Sequence, residues 1–178
     1  MSQSAQSQPT PQPQGAPRTA RYLLDSNLLL RLSDRSSHQH QTVKQAVGAL
    51  IQSGAELYIT PQNIIEFWSV ATRPKSKNGL AFPRATAQKE LAVHRATFAL
   101  LPDRAEIFPQ WERLIQAYAV EGVLAHDTRL AAVALVYGVE NVLTFNLRDF
   151  NRFAREGLNI LSPASVPPYS PPTGAATP

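Results

Sequence analysis

Residues 22–27 read Tyr22-Leu23-Leu24-Asp25-Ser26-Asn27. A short apolar run that stops at a polar residue predicts a buried strand, and it leaves Asp25 at that strand's carboxyl end. The same texture recurs outward from it. Leu57-Tyr58-Ile59-Thr60, Phe98 to Leu101, Asn141-Val142-Leu143-Thr144 and Leu158-Asn159-Ile160-Leu161 predict four further strands. Helical spacing fills the intervals. Gln41 to Gln52 carries Val43, Ala46, Val47, Leu50 and Ile51 on one face, and Gly54 closes it. Pro61 stands where the first turn of a helix tolerates proline, and Ile64, Ile65, Phe67, Trp68 and Ala71 follow until Pro74. A polar loop, Lys75-Ser76-Lys77-Asn78-Gly79, leads to another helix from near Pro83. Residues 105–120 place Trp111, Leu114, Ile115 and Tyr118 on one stripe, and Asp127 to Tyr137 form a small-residue helix ended by Gly138. Short apolar strands separated by helices predict an α/β fold, a parallel sheet between helical layers. Ligands in such sheets bind beyond the carboxyl ends of the strands.

Composition bounds the rest. A chain of 178 residues fits one domain. With no cysteine it has neither a disulfide scaffold, a zinc-thiolate site nor a cysteine nucleophile. The longest apolar stretch, Leu130 to Tyr137, is far short of a membrane span, and residues 1–20 lack the apolar core of a signal peptide. The expectation is a cytoplasmic protein with no membrane partner. Ten of the 15 prolines fall in residues 1–20 and 162–178, which together hold one charge, Arg18. Neither segment has enough apolar surface to offset its ordering entropy, so both read as disordered tails around a folded body over 21–161.

Thirteen acids are few for such a body, which makes their positions informative. Asp25 follows the first strand. Glu66 lies in Ile64-Ile65-Glu66-Phe67-Trp68, in the helix after the second strand. Asp127 opens the small-residue helix, and Asp149 lies just past the Asn141–Thr144 strand. Parallel topology puts all four at one edge of the sheet. Two carboxylates about 4 Å apart repel by about 4 kcal/mol at an effective dielectric near 20. Four together would therefore take up protons or bind a cation. Oxygen donors without thiolate favour Mg²⁺ or Mn²⁺ over zinc. Carboxylate-held ions of this kind serve phosphodiester hydrolysis. Each acid also has a plainer reading. Asp25 and Asp127 are both placed to cap a helix, Glu66 to snorkel at the edge of an apolar face, and Asp149 to be an ordinary loop acid.

Other candidates carry less. His38 and His40 sit in a polar helix entry, without the further ligands a metal site needs. His126, beside Asp127, reads as an orienting or surface group. No Gly-x-Ser-x-Gly elbow, Gly-x-Gly-x-x-Gly or Walker sequence occurs, which disfavours a hydrolase triad and nucleotide cofactors.

The four acids in their flanks resemble the PIN domain family, and within it the VapC-type toxins of toxin–antitoxin systems. The segments that carry the resemblance are Leu23 to Asn27, Ile64 to Phe67, His126-Asp127-Thr128-Arg129-Leu130 and Leu143 to Phe150, and the likeness runs from about Arg21 to Pro163. It implies a three-layer α/β/α fold with a parallel sheet of about five strands. It implies a Mg²⁺- or Mn²⁺-dependent endoribonuclease using Asp25, Glu66, Asp127 and Asp149, with Asp25 and Asp127 as direct metal ligands. Asp149 would bind the metal through water or hold a second ion. Glu66 would complete the site or orient the water, and Thr144 and Asn146 match supporting polar positions. It also implies a homodimer silenced by a cognate antitoxin. The Gln/Pro-rich segment before the first strand departs from the family pattern.

Outside the four acids, the body holds 16 basic residues against nine acidic ones, a balance that suits an RNA substrate. Arg73, Lys75 and Lys77 bracket the loop after the Glu66 helix and are the expected RNA contacts, or else a solvated charge run. Two other readings stay open, an RNA-processing or repair nuclease without an antitoxin and a catalytically silent binding module. A phospho-acceptor receiver domain does not fit, because Asp25 has no neighbouring acid and neither late strand is followed by lysine.

Overall fold

Strand β1 (Arg21–Leu24) is the middle of a five-stranded sheet in the computed structural model, which describes residues 19–171. The other strands are β2 (Glu56–Ile59), β3 (Ala99–Leu100), β4 (Asn141–Leu143) and β5 (Asn159–Leu161). Their order is β3-β2-β1-β4-β5 and every pair is parallel. Tyr22 lies opposite both Leu57 and Asn141, and Leu24 lies opposite Leu143. Successive residues of a strand face opposite sides. Leu23 and Val142 thus enter one core, and Leu24 and Leu143 enter the other. That explains a run that is apolar throughout rather than alternating.

Among the described residues, seven α-helices form the outer layers. On the Leu24 side pack α1 (Ser26–Ser33), α2 (His40–Gln52), α3 (Pro61–Thr72) and α4 (Arg84–Thr97), through Leu28, Val43, Phe67 and Ala87. On the Leu23 side pack α5 (Ile107–Ala117), α6 (Leu124–Tyr137) and α7 (Leu147–Phe150), through Leu114, Leu130 and Phe150. This is the three-layer α/β/α architecture expected from the alternating pattern. Among the described residues no helix is long and apolar enough to cross a membrane.

The structure departs from the sequence reading in three places. β3 is only two residues long, and both are exposed, as befits a sheet edge. α6 begins at Leu124, a turn before Asp127, so that acid stands inside the helix rather than capping it. Past position 161 the chain is still packed. A 3₁₀ turn spans Pro163–Ser165, Pro163 is buried, and Val166 lies against the Leu24-side core. The apolar rings and methyls of these residues find surface there that the polar composition of the segment conceals. The rest of the expected tails, residues 1–18 and 172–178, falls outside the described residues.

The loop after α3 closes that helix. The backbone N–H groups of Leu80, Ala81 and Phe82 donate to the carbonyls of Val70, Arg73 and Ala71 at 2.8–3.0 Å, satisfying acceptors the helix end leaves free. The fold-back brings Gly79 so close that a Cβ there would lie 2.0 Å from the Arg73 carbonyl oxygen. Gly79→Ala is therefore expected to destabilise the protein by about 2–3 kcal/mol. Chemical denaturation would read this, and a loss below about 0.5 kcal/mol would show that the loop yields freely.

Candidate active site

The order in which strands are laid down reverses at β1. From it the path runs to β2 and β3 on one side and to β4 and β5 on the other, which opens a crevice between the carboxyl ends of β1 and β4. Asp25 leaves β1 and Thr144 leaves β4 at this crevice. The buried Thr144 hydroxyl donates to Asp25 Oδ2 at 2.6 Å. Asp25 is also the N-cap of α1, accepting from the Asn27 N–H, and Asn27 Nδ2 donates to Oδ2 at 2.5 Å. Capping and site membership, which looked like rival readings, are one arrangement.

α3 is locked in place before it presents Glu66. Thr60 and Asn63 form a reciprocal capping box, with Pro61 in the first turn. The buried Asn63 amide then donates to the Leu24 carbonyl at 3.1 Å and to Ser26 Oγ at 3.0 Å. This ties the start of α3 to the end of β1, and Glu66 emerges one turn later. Its Oε1 accepts from Gln62 Nε2 at 2.8 Å and lies 3.5 Å from His126 Nδ1.

Asp127 comes from the first turn of α6 on the opposite side of the crevice. Its Oδ2 accepts from Asn146 Nδ2 at 3.0 Å, and the Asn146 N–H in turn donates to Thr144 Oγ1 at 2.8 Å. Thr144 and Asn146, the two supporting positions expected from sequence, thus each hold one aspartate and touch one another.

Asp25, Glu66 and Asp127 line one cleft of about 550 Å³, together with Asn27, His126 and Asn146. Leu30, Ile65 and Val70 form an apolar stretch of the same wall, and Arg73 lines it too. Asp149, half-buried in α7, does not line the cleft, but its charge reaches Asp127. Lys75 and Lys77 lie on an exposed 3₁₀ turn just after Arg73. Asn27 and Gln62 were missed from sequence. Gln62 is four residues before Glu66, a helical spacing that pairs side chains and was there to be read.

The cleft is unfavourable for bare anions. Burial pushes Asp25 up to about 6, against the opposing hydrogen bonds of Thr144 and Asn27, with Glu66 adding a smaller repulsion. Asp127 is pushed up to about 7, first by burial and then by the charges of Asp25, Asp149 and Glu66. Asn27 Oδ1 is buried without a hydrogen-bond partner. Among the described residues no three acidic or imidazole groups stand ready to cage an ion by themselves. The donor set is nonetheless the kind Mg²⁺ uses: one or two carboxylates, with the remaining positions filled by water. The orphan amide oxygen of Asn27 leaves one more polar atom of this site unsatisfied in the metal-free protein.

The family model described as PIN domain matches residues 22–156. No curated protein matches the sequence. Several solved structures are similar. VapBC2 of Rickettsia felis, bound to a DNA fragment from its promoter, is 14% identical with a TM-score of 0.61, covering 80% of this chain and 98% of its own. VapC20 of Mycobacterium tuberculosis, described as a sarcin–ricin loop cleaving toxin, is 16% identical with a TM-score of 0.57, covering 82% and 99%. VapBC-1 of nontypeable Haemophilus influenzae is 13% identical with a TM-score of 0.61, covering 82% and 99%.

Proposed function

Because the chain belongs to the PIN domain family, we propose that it is a Mg²⁺- or Mn²⁺-dependent endoribonuclease and the toxin of a toxin–antitoxin pair, acting in the cytoplasm. The observation that carries this reading is the convergence of Asp25, Glu66 and Asp127 on one cleft at the sheet's switch point, with both aspartates raised by burial and by the charge of neighbouring acids. Such a site is relieved by a cation. Solved structures of the same fold include a toxin that cleaves the sarcin–ricin loop, a toxin–antitoxin complex from Klebsiella pneumoniae and a member of the VapBC family of toxin–antitoxin systems from Mycobacterium tuberculosis.

Asp25 and Asp127 would hold the ion, steadied by Thr144 and Asn146, and Asp149, outside the cleft lining, would add its charge through water or help to hold a second ion. A bound Mg²⁺ lowers the pKa of an attacking water and offsets charge developing on the phosphate. Glu66 would orient that water, with Oε2 free of the hydrogen bond that Gln62 donates to Oε1. Arg73 meets the phosphate chain inside the cleft, and Lys75 and Lys77 extend the cationic track outside it. The apolar wall at Leu30, Val70 and Ile65, the last 68% exposed, suits an antitoxin segment laid along the cleft. The protein works as a homodimer.

Incubating the purified protein with total RNA in Mg²⁺, Mn²⁺ or EDTA tests the nuclease. Discrete products in either metal and none in EDTA are the expected result, and an inert protein under all three conditions would favour the binding-module reading. Neutralising Arg73, Lys75 and Lys77 together should flatten the salt dependence of RNA binding by about two in log–log slope, at about 0.7 per lost phosphate contact. An unchanged slope would make the three an ordinary solvated run.

A further inference from the structure

Gln62 is a buried polar residue to which the mechanism above gives no part beyond its contact with Glu66. Its amide makes three hydrogen bonds. Oε1 accepts from Arg129 Nη1 at 3.1 Å, and Nε2 donates to Glu66 Oε1 at 2.8 Å and to the His126 carbonyl at 2.9 Å. Arg129 is anchored from its other side, with Nη2 donating to Asp103 Oδ1 at 2.6 Å.

A guanidinium can only donate, so the end of the amide that faces Arg129 must be its oxygen. Both N–H groups then point the other way. One meets the carboxylate of Glu66 on α3, and the other meets the backbone carbonyl directly before Asp127 on α6. The amide therefore spans the two helices that bring acids to the cleft from opposite sides. Arg129 contributes to the cleft without adding a cation beside Asp25 or Asp127.

We propose that Gln62, locked in one orientation by Arg129, is a positioning residue that holds Glu66 in register with Asp127. The proposal rests on the reading of those acids as the nuclease site. It predicts a graded and non-additive set of losses. Gln62→Met keeps the volume and removes the donors, and it should weaken Mg²⁺ binding or kcat by about 10–100-fold with little change in KM for RNA. Arg129→Met frees the amide to turn and should lose about 3–10-fold. Arg129→Lys can still donate to Gln62 and should restore most of that. Arg129→Met made in the Gln62→Met background should add nothing, because Arg129 acts through the amide.

The test measures Mg²⁺ binding by calorimetry, kcat and KM at a temperature where every variant is folded, and the ¹³C shift of the Glu66 carboxyl carbon in metal-free protein. The Glu66 signal should move in Gln62→Met, move less in Arg129→Met and stay in Arg129→Lys. An unmoved signal overturns the proposal whether or not the protein cleaves RNA, which keeps its failure separate from that of the nuclease reading. Lower melting temperatures with wild-type Mg²⁺ affinity and kcat would show a purely structural tie. Additive losses confined to KM and sensitive to salt would instead make Arg129 a contact to RNA, and each of these outcomes also overturns the proposal.

Discussion

Asp127→Asn is expected to cleave RNA at least about a thousand-fold more slowly than the wild type in saturating Mg²⁺ at pH 8. The asparagine keeps the side chain's size and one oxygen, so the hydrogen bond from Asn146 Nδ2 can persist and the fold is preserved. What disappears is a full negative charge at the only acid that α6 brings to the cleft. Metal-assisted stabilisation of the phosphoryl transition state is worth several kcal/mol, and each 1.36 kcal/mol is about tenfold in rate. The same substitution removes the repulsion that Asp127 exchanges with Asp25, so the metal-free variant should melt no lower than the wild type. Cleavage at more than about a tenth of the wild-type rate, by a folded variant free of contaminating nuclease, would place the chemistry elsewhere.

The second large effect is on stability and has a definite sign with pH. Asp25 ionises near 6 in the folded protein against an ordinary 3.8, so between those values the folded state holds a proton that the unfolded chain has released. Stability from this group is therefore greatest below about 4 and is lost as pH rises through about 6. Asp25→Asn removes the buried charge while retaining an oxygen to cap α1. The new N–H group takes the place of Oδ2, which faces Asn27 Nδ2, and the Asn27 amide can turn over so that its buried and unpartnered Oδ1 accepts from it. At pH 8 in EDTA the variant should be more stable by up to about 3 kcal/mol, a rise in Tm of up to about 6–12 °C. At pH 4 the gain should vanish. Millimolar Mg²⁺ should reverse the order at pH 8, because a ligand that binds the folded wild type stabilises it by mass action and the variant has lost a carboxylate to bind it. That reversal should fade by pH 5, where the aspartates hold protons and compete with the metal. A variant less stable than wild type at pH 8 in EDTA would mean that Asp25 is held as a favourable anion.

Much of this architecture could be read from hydrophobic period alone. Leu23-Leu24 and Val142-Leu143 are each buried on both faces, which requires a sheet covered on both sides, and the intervening helices supply the crossovers that parallel strands need. The edge was least legible. β3 is short and exposed, so no burial pattern marks its limits. The start of α6, a turn before Asp127, was not legible either, because its N-cap Val123 has no capping side chain and so carries no boundary signal. The C-terminal segment misled in the other direction. Pro163 and Val166 pack although their neighbours are the residues of a disordered chain, since burial depends on the surface they meet.

For the site, the sequence by itself determined which residues carry charge and, through parallel topology, that Asp25, Glu66, Asp127 and Asp149 lie toward one edge. The capping residues Asp25, Thr60 and Asn63 were also written locally, because each bonds within three positions of itself. Only the tertiary structure decided how close the acids come and what surrounds them. Asp25 meets Thr144 across 119 positions, and Gln62 meets Arg129 across 67. Pairings over such distances follow from the register of β1 against β4 and from side chains of α3 and α6 meeting past the carboxyl edge of the sheet that separates the two helices, and no local propensity encodes them. The same packing withdraws water from Asp25 and Asp127 and so raises both. A carboxylate's energy depends on the dielectric and charges within a few ångströms of it, and those are assembled only when the chain has folded.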